Sequence, residues 1–208
     1  MRPLLPASGA GGALLLALVG EAAGQSDPLA PRTKGRADAP VTVYEMSDFQ
    51  CPYCRAFALT TMPVLEREYV RSGKARFVYI NFPLTQLHSN AVAAAEAAMC
   101  AARQHKFWEM HDLLFERQEQ WARQPEPGPY LVALGDSAGL DRAQLLECLT
   151  TQATRPEVEA DAQRAVRAGA RSTPTFYIEG GLLEGAAPVE VFRQVLDSIY
   201  RSKIGRPR

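Results

Sequence analysis

The spacing of apolar residues divides the first half of the chain into a strand, a helix and a second strand. In residues 41–46, Val41, Val43 and Glu45 alternate with Thr42, Tyr44 and Met46, which is the two-residue period of a β-strand. From Pro52 the apolar residues recur at helical spacing up to a stop at Gly73, and Pro63 predicts a kink inside this helix. Residues 75–82 form a second apolar run that ends at a proline. The pattern predicts a β-α-β unit.

The middle of the chain, residues 87–168, has a helical pattern throughout. It begins with an alanine-rich segment and continues with a helix that has one apolar face. Asp141 stands three residues before Gln144, and Thr154 three residues before Glu157. This spacing is typical of helix N-termini, where a short polar side chain caps the free N–H groups.

The strand pattern returns only near the end of the chain. Two short strands are predicted at residues 175–178 and 182–184, with a Gly180-Gly181 turn between them, and a last amphipathic helix follows. A hairpin and a helix after a β-α-β unit form the skeleton of a thioredoxin fold. We therefore predict an α/β thioredoxin fold at residues 40–204, with an all-helical subdomain inserted at about 87–168.

The N-terminal region has the features of an export signal. Arg2 precedes a short apolar run at residues 10–19, which is shorter than the ~20 residues that span a bilayer. We predict a signal peptide at residues 1–24 with cleavage near Gly24, or alternatively an uncleaved anchor. Both place the folded part outside the cytosol, in the periplasm or secreted. Residues 25–39 are rich in Pro, Gly, Asp and Arg and predict a flexible linker.

Charge and cysteine content narrow the functional class. Lys plus Arg and Asp plus Glu number 23 each, so no net field attracts nucleic acid. Four cysteines in an exported chain indicate disulfide chemistry. Cys100 and Cys148 lie 48 positions apart in the helical block, and a structural disulfide between them is favoured over two buried free thiols.

The other two cysteines, Cys51 and Cys54, form a Cys-Pro-Tyr-Cys sequence where the first strand gives way to a helix. Unpaired N–H groups and the helix dipole at this position favour a thiolate, the form that attacks disulfides. A zinc site would need two further ligands, which the scattered remaining cysteines and histidines do not supply. A purely structural disulfide is the other alternative. We interpret the pair as a redox-active disulfide, with Cys51 attacking and Cys54 resolving, and expect no metal or cofactor.

Glu45 lies on the same face of the first strand as Val41 and Val43. That placement predicts a buried carboxyl beneath the cysteine pair, with a raised pKa and the ability to exchange protons with Cys54. The alternative is a solvent-facing Glu at the end of the strand.

Several separate stretches of the chain resemble the DsbA-like family of thioredoxin-fold thiol–disulfide oxidoreductases, and together they cover about residues 40–200. They are 43–54, which contains the cysteine pair, 81–84, 100–108, 111–115 and 172–176. The resemblance implies that Cys51 is the nucleophile, Cys54 the resolving thiol and Glu45 the buried acid. It also implies a cis bond between Thr173 and Pro174 that faces the pair and binds the substrate chain.

The implied activity is the formation or exchange of disulfides in exported proteins that contain cysteine. A membrane redox partner would reset the pair, and a monomer is the expected state. Tyr53 stands where strongly oxidising relatives carry His, and Thr173 also occurs in isomerase-type and reductase-type relatives. The alternatives are therefore an isomerase or reductase, or a chaperone-like protein that binds peptides without turnover.

Overall fold

The computed structural model describes residues 27–205, and the predicted signal peptide lies outside this range. A five-stranded sheet has the order β1-β3-β2-β4-β5. β2 and β3 are parallel, and the other neighbouring pairs are antiparallel. The strands are β1 (Thr33–Lys34), β2 (Val41–Ser47), β3 (Ala75–Asn81), β4 (Thr175–Ile178) and β5 (Gly181–Glu184).

The helices fall into three groups along the chain. The first group is a helical segment, residues 52–70, that joins β2 to β3. Six helices lie between β3 and β4, and a long helix follows β5. The predicted fold class, a thioredoxin fold with a helical insertion, is confirmed. The α-helices are α1 (Pro52–Ala56), α2 (Met62–Leu65), α3 (Ala91–Ala102), α4 (Phe107–Glu116), α5 (Gln118–Trp121), α6 (Gly128–Ser137), α7 (Arg142–Thr150), α8 (Arg155–Arg167) and α9 (Val189–Ile204).

The helical segment at residues 52–70 contains two π-helical turns. π-Helical segments at Phe57–Thr61 and Glu66–Val70 follow α1 and α2. Around the first of them, the Met62 N–H donates to the Phe57 carbonyl five residues back. Pro63, which has no N–H to donate, therefore lies just after a π turn, and the irregularity expected from this proline takes that form.

The flexible linker predicted at residues 25–39 is wrong for residues 27–39. Thr33 and Lys34 pair with β3 as an edge strand. Just before them, the buried Arg32 guanidinium forms an ion pair with Asp161 of α8. The amino-acid composition of this segment is typical of a linker. The segment is ordered because its residues contact β3 and α8, which are distant in the sequence, and local composition does not reveal such contacts.

The two predicted helix caps have different outcomes. The Asp141 carboxylate accepts a hydrogen bond from the Gln144 N–H at 2.8 Å, so the cap of α7 is confirmed. The cap predicted at Thr154 is wrong, because its buried hydroxyl instead donates to the Glu96 carbonyl of α3 at 3.3 Å. That bond ties α8 to α3 and uses the group that would otherwise cap the helix.

The core places the cysteine pair where the sheet meets the insertion. One face of the sheet packs against the helical segment at residues 52–70 and against α9, through residues such as Val43 and Phe192. On the opposite face, Ile80 packs against α8. Cys54 and Tyr79 belong to a further cluster that continues into α3, α4 and α6. None of the helices within residues 27–205 combines the length and apolar character needed to cross a membrane.

Candidate active site

Cys51 occupies the N-cap of α1, immediately after the turn that leaves β2. Its backbone is extended (φ −73°, ψ 126°), and Pro52 takes the first helical position. Proline suits that position because its missing N–H would have no partner inside the helix anyway. The Cys51 sulfur therefore lies at the positive end of the helix, as predicted from the sequence.

The Asp48 side chain holds the turn that presents Cys51. One carboxylate oxygen accepts the Gln50 N–H at 2.7 Å. The other accepts the Leu84 N–H at 2.8 Å and lies 2.7 Å from His88 Nδ1. The Asp48 carbonyl accepts the Cys51 N–H at 3.0 Å. Sequence reasoning missed this residue, although an Asp that bonds to the N–H two residues later is a common turn signal.

A glutamine from the insertion fixes the same turn from the other side. The buried Gln118 amide donates to the Phe49 carbonyl at 2.7 Å and to the Cys51 carbonyl at 3.0 Å. Gln118 begins α5, so the helical insertion is bonded directly to the backbone of the cysteine pair. Nothing in the local sequence indicates this role, because the partners lie more than sixty residues away.

The surroundings of Cys51 favour its thiolate. Its pKa falls to about 6, chiefly because the Cys54 thiol donates a hydrogen bond to the sulfur, with smaller contributions from the Thr173 hydroxyl and the N–H groups of Cys54 and Tyr53. Burial acts in the opposite direction but is outweighed. A thiol with such a pKa is largely ionised at neutral pH.

Cys54 has the opposite character. Its side chain is fully buried, and burial raises its pKa well above the ordinary value, as does the neighbouring Cys51 sulfur. Its sulfur accepts a hydrogen bond from the Asp48 N–H at 3.5 Å. In the structure both cysteines carry free thiols. The pair thus combines one acidic thiol with one that remains protonated.

Glu45 points into the protein, as the strand pattern predicts, so the solvent-facing alternative is wrong. In the sheet it lies between Tyr79 of β3 and Phe176 of β4, and only 2% of its surface is exposed. Burial raises its pKa to about 7, partly offset by the Ser47 hydroxyl and the positive charge of Lys34. A carboxyl with this pKa can both give and take a proton at neutral pH.

The loop before β4 brings Thr173 and Pro174 to the cysteine pair. The peptide bond between them is cis. The Cys51 thiol donates a hydrogen bond to the Thr173 carbonyl at 3.4 Å, and the Thr173 hydroxyl is buried beside the same sulfur. The structure therefore brings the loop of Thr173 and Pro174 to Cys51. It places Glu45 beside Tyr79, which shares a core cluster with Cys54.

Comparison with known proteins identifies the family. A family model described as Thioredoxin matches residues 29–198. The probable disulfide bond formation protein D of Bacillus anthracis is 32% identical over 152 residues, which cover 71% of this chain and 69% of that protein. Oxidised BdbD from Bacillus subtilis has a TM-score of 0.75 at 24% identity, over 82% of this chain and 92% of that one. The chain belongs to the DsbA-like thioredoxin-fold family.

Another relative shows that domains of this family also occur in longer proteins. The Na(+)/H(+) antiporter NhaA 3 of Salinispora tropica is 33% identical over 181 residues, which cover 87% of this chain and 26% of the antiporter. The chain thus spans about a quarter of the length of the antiporters that it matches. The predicted membership of the DsbA-like thiol–disulfide oxidoreductases is confirmed by the match to the disulfide bond formation protein.

The remaining cysteines of this DsbA-like chain lie in its insertion. Cys100 of α3 and Cys148 of α7 are joined by a disulfide, the pairing favoured by the sequence. Within residues 27–205, no group of three or more His, Cys, Asp or Glu side chains is arranged to hold a metal ion.

The surface next to Cys51 contains an open cleft. A cleft of about 720 Å³ runs beside the start of α1, lined mostly by polar side chains that include Arg55, His88 and Glu119. Two large apolar side chains, Tyr53 and Leu87, are 68% and 75% exposed at this end of the molecule.

Proposed function

We propose that the chain forms or exchanges disulfide bonds in exported, cysteine-containing proteins through Cys51 and Cys54. The observation that carries this proposal is the asymmetry of the pair. A cysteine with a pKa of about 6 lies at a helix N-terminus opposite the Thr173–Pro174 loop, and its partner is buried and protonated. Only the first is suited to attack, or to be attacked by, a substrate.

In the oxidising direction a substrate thiolate attacks the Cys51 sulfur of the Cys51–Cys54 disulfide. The Cys51–Cys54 bond breaks, a mixed disulfide forms, and Cys54 leaves as a thiolate that takes up a proton. A second substrate thiolate then attacks the substrate sulfur of the mixed disulfide, and Cys51 leaves as a thiolate. Two electrons pass from two substrate thiols to the cysteine pair. Cys51 is a good leaving group because its thiolate is stable.

Glu45 supplies the proton that Cys54 takes up. With a pKa of about 7 its carboxyl is partly protonated at neutral pH, and its register partner Tyr79 belongs to the same core cluster as Cys54. In the reverse direction the carboxylate accepts the proton of Cys54 before that sulfur closes the disulfide. Exchange inside the protein avoids drawing a proton from bulk water into a buried site.

Thr173 and Pro174 bind the substrate chain. Pro174 has no N–H, and its own carbonyl accepts the Gly185 N–H at 2.8 Å. Pro174 therefore offers no backbone group to a partner, and an extended segment aligned along this loop would pair with the backbone of Thr173 as an added strand, which holds the substrate sulfur against Cys51. Such recognition depends on the main chain and therefore accepts many different sequences.

The proposed site of action is outside the cytosol, in the periplasm or secreted, as a monomer reset by a membrane redox partner. The Cys100–Cys148 disulfide supports an oxidising compartment. A Cys51 pKa of about 6 lies between the ~7 of thioredoxin and the ~3.5 of DsbA. We therefore expect a reduction potential between about −270 and −120 mV, so that oxidation and isomerisation are both within reach.

Insulin reduction, reoxidation of a reduced two-cysteine peptide and equilibration with glutathione test the proposal. The wild-type protein should catalyse both reactions, and Cys51→Ser should abolish both. Cys54→Ser should retain attack but accumulate mixed disulfides. The double variant Cys100→Ser/Cys148→Ser is the matched control and should remain active. Failure of the folded wild-type protein to catalyse either reaction would leave peptide binding without turnover as the function.

A further inference from the structure

Two hydroxyl groups lie behind the cysteine pair, where the mechanism above gives them no role. Ser47 is on the same face of β2 as Glu45, two residues further along the strand. Tyr79 of β3 is the register partner of Glu45. Ser47 is 1% exposed and Tyr79 is fully buried. Together with the sulfur of Cys54 they form a compact polar region inside an otherwise apolar core.

These groups have hydrogen-bonding capacity that the resting structure leaves unused. Within residues 27–205, Glu45 Oε1, Ser47 Oγ and Tyr79 Oη are buried without a hydrogen-bond partner. An unsatisfied buried polar group costs about 1–3 kcal/mol, so three on neighbouring residues indicate a requirement other than stability. Their presence is explained if these groups form hydrogen bonds to a negative charge that is present only during the reaction.

Both hydroxyl groups interact electrostatically with the same two titrating groups, Glu45 and Cys54. The Ser47 hydroxyl lies close enough to both Glu45 and Cys54 to lower the pKa of each. The pKa of the Tyr79 phenol is raised far above its usual value by burial first and then by the charges of Glu45 and Cys54. The phenol therefore stays protonated and is always available as a donor.

We propose that Ser47 relays the proton between Glu45 and Cys54, and that Tyr79 donates a hydrogen bond to whichever of the two is negatively charged. The inference rests on the proposed function of the pair. When the Cys51–Cys54 disulfide is opened, the Ser47 O–H gives its proton to the Cys54 thiolate and takes the proton of the Glu45 carboxyl. The result is a Cys54 thiol and a Glu45 carboxylate, with no net gain or loss of protons. Closure of the disulfide reverses each transfer.

Other charged or titratable groups also face this region, and they are the same in the wild-type protein and in variants that lack either hydroxyl. Cys51 interacts with Cys54, and the Asp48 N–H donates to the Cys54 sulfur. Lys34 acts on Glu45 through its charge, and the Asp48 carboxylate acts on Tyr79 in the same way. The buried His111 imidazole packs edge-on against the Tyr79 ring, with 5.3 Å between the ring centroids. None of these four side chains is altered by removing either hydroxyl.

The test follows a single closure event. A mixed disulfide between Cys51 and a small aromatic thiol is prepared, and release of that thiol by Cys54 is measured by stopped flow across pH. We expect Ser47→Ala to slow closure about tenfold at neutral pH, which is the effect of losing one hydrogen bond to a charged group. The pH midpoint should also rise, because Ser47 lowers the pKa of Glu45. Tyr79→Phe should slow closure several-fold.

Matched variants separate a relay from a structural effect. Ser47→Thr retains the hydroxyl and should restore the wild-type rate and midpoint. Tyr177→Phe removes a phenol from the opposite face of the sheet and should change neither. Alkylation of Cys51 by iodoacetamide should be the same in all variants, because its thiolate is held by other groups.

Unchanged closure rates and pH midpoints in folded Ser47→Ala and Tyr79→Phe would overturn the relay. Should Ser47→Ala not fold, the proton inventory of wild-type closure in mixtures of H2O and D2O decides. A curved plot indicates two protons in transit, as the relay requires, and a straight plot contradicts it. A wild-type protein that never closes its mixed disulfide would instead refute the proposed function.

Discussion

The hydroxyl of Thr173 offers a sharp test of how the site tunes Cys51. Thr173→Val keeps the shape of the side chain and leaves the carbonyl that accepts the Cys51 thiol in place. It removes only the hydroxyl, which is buried without a hydrogen-bond partner among the described residues and which helps to lower the Cys51 pKa. Any change in the Cys51 pKa therefore reports this single group.

The size of the effect follows from the strength of one charged hydrogen bond. Such a bond contributes ~1.5–3 kcal/mol, and 1.36 kcal/mol corresponds to one pKa unit. The Cys54 thiol remains the larger stabilising contact, so we expect a rise of about one unit, from about 6 to ~7. The ionised fraction of Cys51 at pH 7 should then fall from ~90% to ~50%. Less stabilisation of the reduced form should make the reduction potential ~20 mV more negative.

The assay is the ultraviolet absorbance of the thiolate, titrated in the reduced protein, together with glutathione equilibration. Thr175→Val is the matched control, because the Thr175 hydroxyl bonds to the Ser172 carbonyl and not to Cys51. A Cys51 pKa that stays at about 6 in a folded Thr173→Val protein would refute the assignment of this hydroxyl.

Three further substitutions test other parts of the structure. Because the folded-state pKa of Glu45 is raised from 4.5 to about 7, this group favours folding fully below pH 4.5, and the benefit is lost as pH rises through 7. In denaturant titrations, the free energy of unfolding of the wild-type protein should therefore fall by up to ~3 kcal/mol over that pH range. Glu45→Gln should not show this fall. Gln118→Ala leaves the buried Phe49 carbonyl without its donor, while the Cys51 carbonyl keeps the Arg55 N–H, and should cost ~1–3 kcal/mol in the same titrations. Exposed Gln124→Ala should cost little, and equal losses would contradict the bridging role. Replacing Cys100 and Cys148 by Ala opens a 48-residue loop and should cost up to ~4 kcal/mol, and an unchanged melting temperature would contradict a stabilising disulfide.

The sequence predicts the parts of the site that are local. Periodicity places Cys51 at the end of a strand and the start of a helix, and alternation along β2 places Glu45 inside. The contribution of Thr173 and Pro174 came from family resemblance, because nothing in periodicity brings a distant loop to a helix N-terminus.

Long-range polar contacts are the part that the sequence does not predict. Gln118 bonds to backbone carbonyls, which every residue carries, so no partner residue marks its role. Thr154 has the spacing of a cap but lies at a contact between helices, where the Glu96 carbonyl is the available acceptor. In each case the tertiary structure determines which hydrogen bond the side chain forms, and the local sequence is compatible with more than one.

The Arg32–Asp161 ion pair determines where an autonomous folding unit begins. A polypeptide starting at Pro40 would keep β2 to β5 and every α-helix, but Asp161, which also accepts hydrogen bonds from Asn81 and Arg164, would lose its buried guanidinium. Removing one partner of a buried ion pair costs about 3–5 kcal/mol, a large share of the ~5–15 kcal/mol that holds a domain together. Truncations and fusion joints should therefore be placed upstream of Arg32, because this segment is an integral part of the domain.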